Sequence, residues 1–214
     1  TIEMAQYLSI HPDNPQQRLI KQAVDIIRRG GVMACPTDSS YALACHLGDK
    51  QALERIRQIR RIDDKHNFTL VCRDLTEIAM YAQVNNDTYR LLKSLTPGAF
   101  TFVLKATKEV PRRLKHPKRK TIGIRIPDNL IVQKILEELK EPMLTSTLIL
   151  PDETEAIADP YDINDQLDRV LDLVVDGGII PYEPTTMIVW DNDFPEVVRE
   201  GKGQVDFIAR KEDN

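Results

Sequence analysis

The chain changes hydrophobic period again and again, and this constrains its fold more than any other feature. Short apolar runs at 32–35, 68–72, 100–105, 121–126, 142–147, 171–175, 186–190 and 197–199 read as strands. Between them lie segments whose apolar residues recur every three to four positions. One helix is expected to begin at Asn14-Pro15, as cap and first-turn proline, and to stop at Gly30-Gly31. Others are expected around Ala52, Leu53, Ile56 and Ile59, and over 75–82, 88–94, 130–140 and 163–170. An unbroken Val/Ile run needs cover on both faces, and an amphipathic helix needs an apolar surface to lie on. Both are satisfied by an α/β sheet with helices on its faces. No repeat or Gly/Ser linker breaks the pattern, and 214 residues suit one domain. Residues 1–214 are therefore expected to form a single domain, with its core over about 15–206 and frayed ends.

Composition narrows the partners. Twenty-nine Lys and Arg against 33 Asp and Glu leave a formal charge of −4, which excludes a globally basic nucleic-acid packer. No run approaches the roughly 18–20 apolar residues of a membrane helix. Residues 1–11 lack the basic head and apolar block of a secretory signal. Cys35, Cys45 and Cys72 are odd in number and have no CxxC spacing, so neither a disulfide framework nor a zinc site is expected. A cytoplasmic location follows as the expectation. The four histidines have no metal-ligand spacing, and no metal site is expected.

Three segments could hold chemistry. Cys35-Pro36-Thr37-Asp38-Ser39-Ser40-Tyr41 sets hydroxyls and a carboxylate just past a strand, where open α/β sheets place ligands. The same residues could simply be a turn satisfied by its own side chains. The basic helix and its sequel bring Arg60, Arg61 and Lys65 together, and guanidinium forks match phosphate oxygens. Nearby Glu54, Asp63 and Asp64 fit a solvated surface equally well. Residues 112–120 carry six cations, among them Arg112, Arg113, Lys118, Arg119 and Lys120, on an otherwise acidic chain. Such a cluster attracts polyanions, or is a solvated loop; no interleaved aromatic supports sequence-specific reading of single strands. Neither GxxxxGK[ST] nor GxGxxG is present.

Read in order, the segments resemble the YrdC family, and its YciO branch more closely. The resemblance rests on Pro36-Thr37-Asp38-Ser39 with Tyr41, His66-Asn67-Phe68-Thr69-Leu70, Thr96-Pro97-Gly98 and Lys118-Arg119-Lys120-Thr121-Ile122-Gly123 with Arg125. It continues through Glu141-Pro142-Met143-Leu144, Asp176-Gly177-Gly178, Pro184-Thr185-Thr186 and Val198-Arg199-Glu200-Gly201. It implies a twisted, open mixed sheet with helices on its faces and a concave basic cleft. Active family members are threonylcarbamoyl-AMP synthases, which take ATP with Mg2+ as substrate, L-threonine and bicarbonate, and hold no permanent cofactor. Their product serves tRNA modification, and members are also described as double-stranded RNA binders. The partners implied here are ATP or AMP, L-threonine and structured RNA, with no membrane.

Carried over by position, Arg61 and Arg125 would be catalytic. Thr37, Ser39, Lys65, Thr147, Thr185 and Arg199 would line the substrate and nucleotide pocket, and Arg112, Arg113, Lys118, Arg119 and Lys120 would meet RNA. Two positions depart from the family pattern. The lysine of its Lys-x-Arg element falls on Ile59, and the asparagine of its Ser-x-Asn element falls on Ile149. Each lost transition-state contact typically costs about 10²–10³ in rate, so the expectation is a weak or diverged synthase. The alternative is a non-catalytic RNA-binding module in tRNA or ribosome maturation.

Overall fold

The structure is a computed structural model that describes residues 3–63, 66–191 and 193–205. Among the described residues ten strands form one mixed sheet: β1 (Gln6–Ser9), β2 (Met33–Pro36), β3 (Tyr41–His46), β4 (Thr69–Val71), β5 (Phe100–Lys105), β6 (Thr121–Arg125), β7 (Met143–Thr147), β8 (Leu173–Asp176), β9 (Thr186–Asp191) and β10 (Phe194–Arg199). Their order is β1-β8-β2-β3-β7-β4-β6-β5-β9-β10, leaving β1 and β10 as open edges. The pairs β1/β8, β2/β8, β4/β6 and β5/β9 are parallel, and the rest are antiparallel. The α-helices among the described residues are α1 (Gln17–Arg28), α2 (Lys50–Arg60), α3 (Leu75–Tyr81), α4 (Asn86–Leu95), α5 (Leu130–Leu139) and α6 (Pro160–Leu167). The expected architecture, an open mixed α/β sheet with helices on its faces, is the one observed.

Strand periodicity sorts the core into two layers. On β2, Met33 and Cys35 join one cluster while Ala34 joins the other, so successive side chains serve opposite faces. The first face is covered by α1 and α5, through Ile20, Val24 and Ile27 of α1 and Ile131, Ile135 and Leu136 of α5. On the second lie Leu53 and Ile56 of α2, Ile78 of α3, Leu92 of α4 and Ile163 of α6. α1 and α5 are further tied where Arg28 Nη2 donates to the Glu138 and Leu139 carbonyls at 3.0 and 3.2 Å, closing the C-terminal end of α5.

Several local expectations are corrected. Asn14 does not cap α1: the helix starts at Gln17, behind Gln16, without a side-chain cap. The preceding loop folds around His11 instead, whose Nδ1 accepts the Asp13 and Asn14 amides at 3.1 Å each. α6 begins three residues before its expected start because Asp159 accepts the Tyr161 amide and Pro160 occupies the first turn. Two strands were not anticipated. β1 exists through its parallel pairing with β8, and β3 is buried along nearly its whole length at the sheet centre. Among the described residues no helix is long and apolar enough to cross a membrane.

Candidate functional site

One strand face changes character along its length. Val71 of β4 and Met143 of β7 are buried with the α5 layer. Thr69, Thr145 and Thr147 stand on the same face of those strands at even spacing, and they line an open cleft instead of meeting a helix. The sheet is apolar where α1 and α5 cover it and hydroxyl-bearing where they stop. The cleft, about 210 Å³, is completed by Thr37, Ser39, Arg60, His66, Thr101, Arg125, Tyr182, Thr185 and Arg199.

At one end the β2–β3 turn is self-satisfied, as its turn chemistry suggested. Thr37 Oγ1 donates to the Ser40 carbonyl at 2.7 Å and accepts the Ser39 and Ser40 amides at 3.1 Å. The turn thereby aims Ser39 and Asp38 at Arg125, which β6 delivers to the cleft floor. Arg125 is 6% exposed; its Nη1 donates to Ser39 Oγ at 3.0 Å and its Nη2 to the Asp38 carboxylate. Asp38 also accepts the Asp128 amide at 2.8 Å, and its carbonyl accepts from Lys202 Nζ. Burial pushes the Arg125 pKa down while Asp38 opposes the shift. Among the described residues the buried Nε–H of Arg125 has no partner, an uncommon condition that leaves a charged donor open to a ligand.

The opposite wall is built by Arg60. Its Nε donates to the Ile149 carbonyl at 3.0 Å and its Nη1 to Ser146 Oγ at 2.6 Å, 3.3 Å from His66 Nε2. Burial, then the neighbouring Arg60 and Arg57, push the His66 pKa down, so its ring is neutral near pH 7. At the third corner Thr185 Oγ1 accepts Arg199 Nη2 at 2.8 Å and lies 2.7 Å from Thr101 Oγ1, while Arg199 Nε holds the Thr185 carbonyl at 2.9 Å.

The cleft thus gathers Thr37, Ser39, Thr147, Thr185, Arg125 and Arg199. Arg61 is not brought to it: this residue ends α2 in the left-handed conformation, with φ 53° and ψ 45°, and is exposed. Lys65 lies outside the described residues. Ile59 packs against the core, and Ile149 contributes its carbonyl. In the 112–120 loop, Arg113 and Lys118 border a separate cavity, whereas Arg112, Arg119 and Lys120 are exposed outside it. Sequence reasoning assigned no site role to His66, Ser146 or Thr101, and named Asp38 only as the carboxylate of the 35–41 segment. The run Thr145-Ser146-Thr147, three hydroxyls inside an apolar strand, was the available signal.

A sequence model of the Sua5, YciO and YrdC proteins, described as telomere recombination, matches residues 25–201. The chain belongs to the Sua5/YciO/YrdC family. Escherichia coli YciO, described as uncharacterized, is 55% identical over 202 residues, covering 94% of this chain and 98% of the relative. The crystal structure of that protein superposes with a TM-score of 0.90, covering 95% of this chain and 98% of the other. More distantly, human threonylcarbamoyl-AMP synthase is 28% identical over 163 residues, which is 75% of this chain and 56% of the human protein. Pyrococcus abyssi Sua5 complexed with L-threonine shares the fold at TM-score 0.86 and 20% identity, covering 95% of this chain and 60% of that one. Arg60, next to the Arg61 that the resemblance singled out, is the guanidinium that lines the cleft.

Proposed function

We propose that the cleft binds an adenine nucleotide, ATP or AMP, together with L-threonine. On this reading the chain makes threonylcarbamoyl-AMP from L-threonine, bicarbonate and ATP, with release of pyrophosphate and water, far more slowly than an intact family enzyme. The observation that carries it is the Arg125 guanidinium, buried on the cleft floor with one N–H unpartnered. A carboxylate or phosphate placed there would satisfy that donor with a charge-assisted hydrogen bond. Arg60 and Arg199 supply further positive charge along the same cleft. The relatives lend support, since one family fold is described with L-threonine bound and another member is named as the synthase.

Slow turnover follows from direction as much as charge. A transition-state donor must aim at the oxygen where charge develops. Ile59 supplies no cation, and Ile149 supplies no side-chain hydrogen bond. Among the described residues no group of three His, Cys, Asp or Glu could hold a metal, so Mg2+ would arrive on the nucleotide's phosphates. Structured RNA, in a tRNA-modification setting in the cytoplasm, would meet the exposed Arg112, Arg119 and Lys120.

Calorimetric titration with ATP, AMP and L-threonine, alongside pyrophosphate release, tests the reading. Saturable adenylate binding is expected, with pyrophosphate release that needs both threonine and bicarbonate and runs at least about 10²–10³ below an intact synthase. No binding of any adenylate at low ionic strength refutes it, and a rate equal to an intact synthase refutes the slow-turnover part. For RNA, changing Arg112, Arg119 and Lys120 to Ala should flatten the log affinity–log salt slope; an unchanged slope would separate the loop from RNA phosphates.

A further inference from the structure

The two open edges of the sheet are defended unequally. β10 carries Pro195 and Glu196, and its pairing with β9 shifts register between Val197 and Arg199. A proline, a charge and a bulge each keep an edge strand from pairing with another chain. β1 has none of them. Met4 to Ile10 is an uncharged run without proline, and β1 pairs with β8 in unbroken register. The Gln6 and Ile10 amides donate to the Asp172 and Asp176 carbonyls at 3.0 and 2.9 Å. Alternation along the strand therefore turns the N–H and C=O of Tyr7 and Ser9 outward, where no described residue pairs with them.

The surface beside this edge is acidic and aromatic. Residues 152–168 hold seven Asp and Glu and no Lys or Arg. None of the seven forms a salt bridge among the described residues. Arg169 follows the run, and Arg55 is already paired with Asp172 at 2.7 Å, so the excess stays negative. α6 brings part of this run to β1. Its Tyr161 stacks on Tyr7 with ring centres 5.6 Å apart, and the Asp168 carbonyl accepts the Ala5 amide at 2.6 Å. Asp165 and Asp168 follow Tyr161 at helical spacing on the same flank. The last turn of α6 has no basic residue, and the helix end adds its own partial negative charge there. Tyr161 is 64% exposed and Met4 67%. Tyr7 lies with the α6 layer, whereas Leu8 packs with the α1 layer.

We propose that the open edge of β1 is a strand-addition site for an extended partner segment in which Lys or Arg alternates with aliphatic residues. Added antiparallel, such a segment exchanges N–H···O=C bonds with Tyr7 and Ser9. Its cations lie on the Tyr7 side, over Tyr161 and beside Asp165 and Asp168, and its aliphatic residues on the Leu8 side. A second copy of this chain is disfavoured, because a two-fold axis through β1 would set the α6 carboxylates against their own duplicates. The test uses the full chain with fluorescein-labelled, capped hexapeptides, Lys-Val-Lys-Val-Lys-Val and its Glu-Val counterpart, and the variants Ser9→Pro and Asp165→Lys. Ser9 turns its N–H away from β8, so proline there removes an outward donor and spares the ladder. Saturable binding of the Lys peptide is expected, with slowed exchange of the Tyr7 and Ser9 amides read by NMR. Ser9→Pro should weaken it about tenfold or more at unchanged Tm. Asp165→Lys, at an exposed position, should weaken it about two- to fivefold, and this loss should shrink as salt rises. No binding, equal affinity of the Glu peptide, unslowed Tyr7 and Ser9 amides, or full affinity in either variant would overturn the proposal. So would a dimer in analytical ultracentrifugation that Ser9→Pro dissolves, which would give the edge to a second copy.

Discussion

Removing the Asp38 carboxylate should cost this chain more than any surface change, because Arg125 would then be stranded. The two side chains are 7% and 9% exposed. Without Asp38 the guanidinium retains Ser39 Oγ at 3.0 Å and the Gly98 carbonyl at 3.4 Å, both neutral, while its Nε–H is already unpartnered. Removing one member of a buried ion pair costs about 3–5 kcal/mol. For a chain of this length, each kcal/mol moves Tm by about 2–4 °C, so Asp38→Ala should melt roughly 6–20 °C lower. Arg125→Met in the same chain removes the stranded charge, so the double variant should be more stable than Asp38→Ala alone. Urea unfolding followed by far-UV circular dichroism and by the fluorescence of Trp190, the chain's one tryptophan, gives both numbers and tests two-state behaviour. A loss below about 1 kcal/mol for Asp38→Ala, or a double variant whose loss equals the sum of the singles, would refute the account.

Three shorter predictions follow from other parts of the molecule. His66 has its pKa depressed by burial and by Arg60 and Arg57, so the folded state resists its protonation. Above the unfolded value of about 6.5 both states hold a neutral ring; as pH falls through it, the unfolded chain takes the proton first and stability drops. His66→Gln should therefore flatten the stability–pH curve between pH 7 and 5, and an unchanged curve contradicts the burial argument. Burial pushes the Cys35 and Cys45 thiols up to about 12 and Cys72 well above its usual value, so a thiol reagent should modify none of them in the native chain at pH 8 and all three in denaturant. Native labelling faster than global unfolding counts against this. A Cβ on Gly201 would run into the Pro184 carbonyl oxygen and the Thr185 backbone, so Gly201→Ala should destabilise the fold and loosen the Thr185–Arg199 corner, read as weaker AMP binding. Retained Tm and affinity would show that the segment yields freely.

How much the sequence disclosed depended on how local each cause is. β5 was legible to the residue because its apolar run ends at Lys105, where exposure begins. β3 was not, because a central strand buried on both faces shows no alternation, and Tyr41-Ala42-Leu43 reads as the tail of the preceding turn. β1 carries no pattern of its own; its four residues become a strand by lying parallel to β8, more than 160 positions away. That Thr37, Ser39, Arg125, Thr185 and Arg199 would line one cleft was legible because the family resemblance sets them in order along the chain. The Asp38–Arg125 pair and the meeting of Arg60, Ser146 and His66 were not, since each joins strands or helices that only the tertiary fold brings together.

Arg60 and Arg61 show where a resemblance by position misleads. Adjacent helical side chains diverge by about 100°, so a cation moved by one residue approaches a ligand from another side. α2 ends at Arg60, and Arg61 turns left-handed, which takes the family's arginine position off the helix just where the cleft begins. The guanidinium that does enter is held by Ser146 Oγ and the Ile149 carbonyl, the latter from the residue on which the resemblance by position sets the family's asparagine. A ligand anion must compete with those two acceptors or share the remaining N–H groups. Binding tolerates that, because Coulomb attraction falls off gradually with distance and scarcely depends on angle. On the proposed synthase reading turnover would not, because a donor already committed to the protein must be redirected as charge develops, which removes the benefit of preorganisation. On the proposed reading, Arg60, Arg125 and Arg199 would keep anion affinity in the cleft while the changes at Ile59 and Ile149 lower the rate.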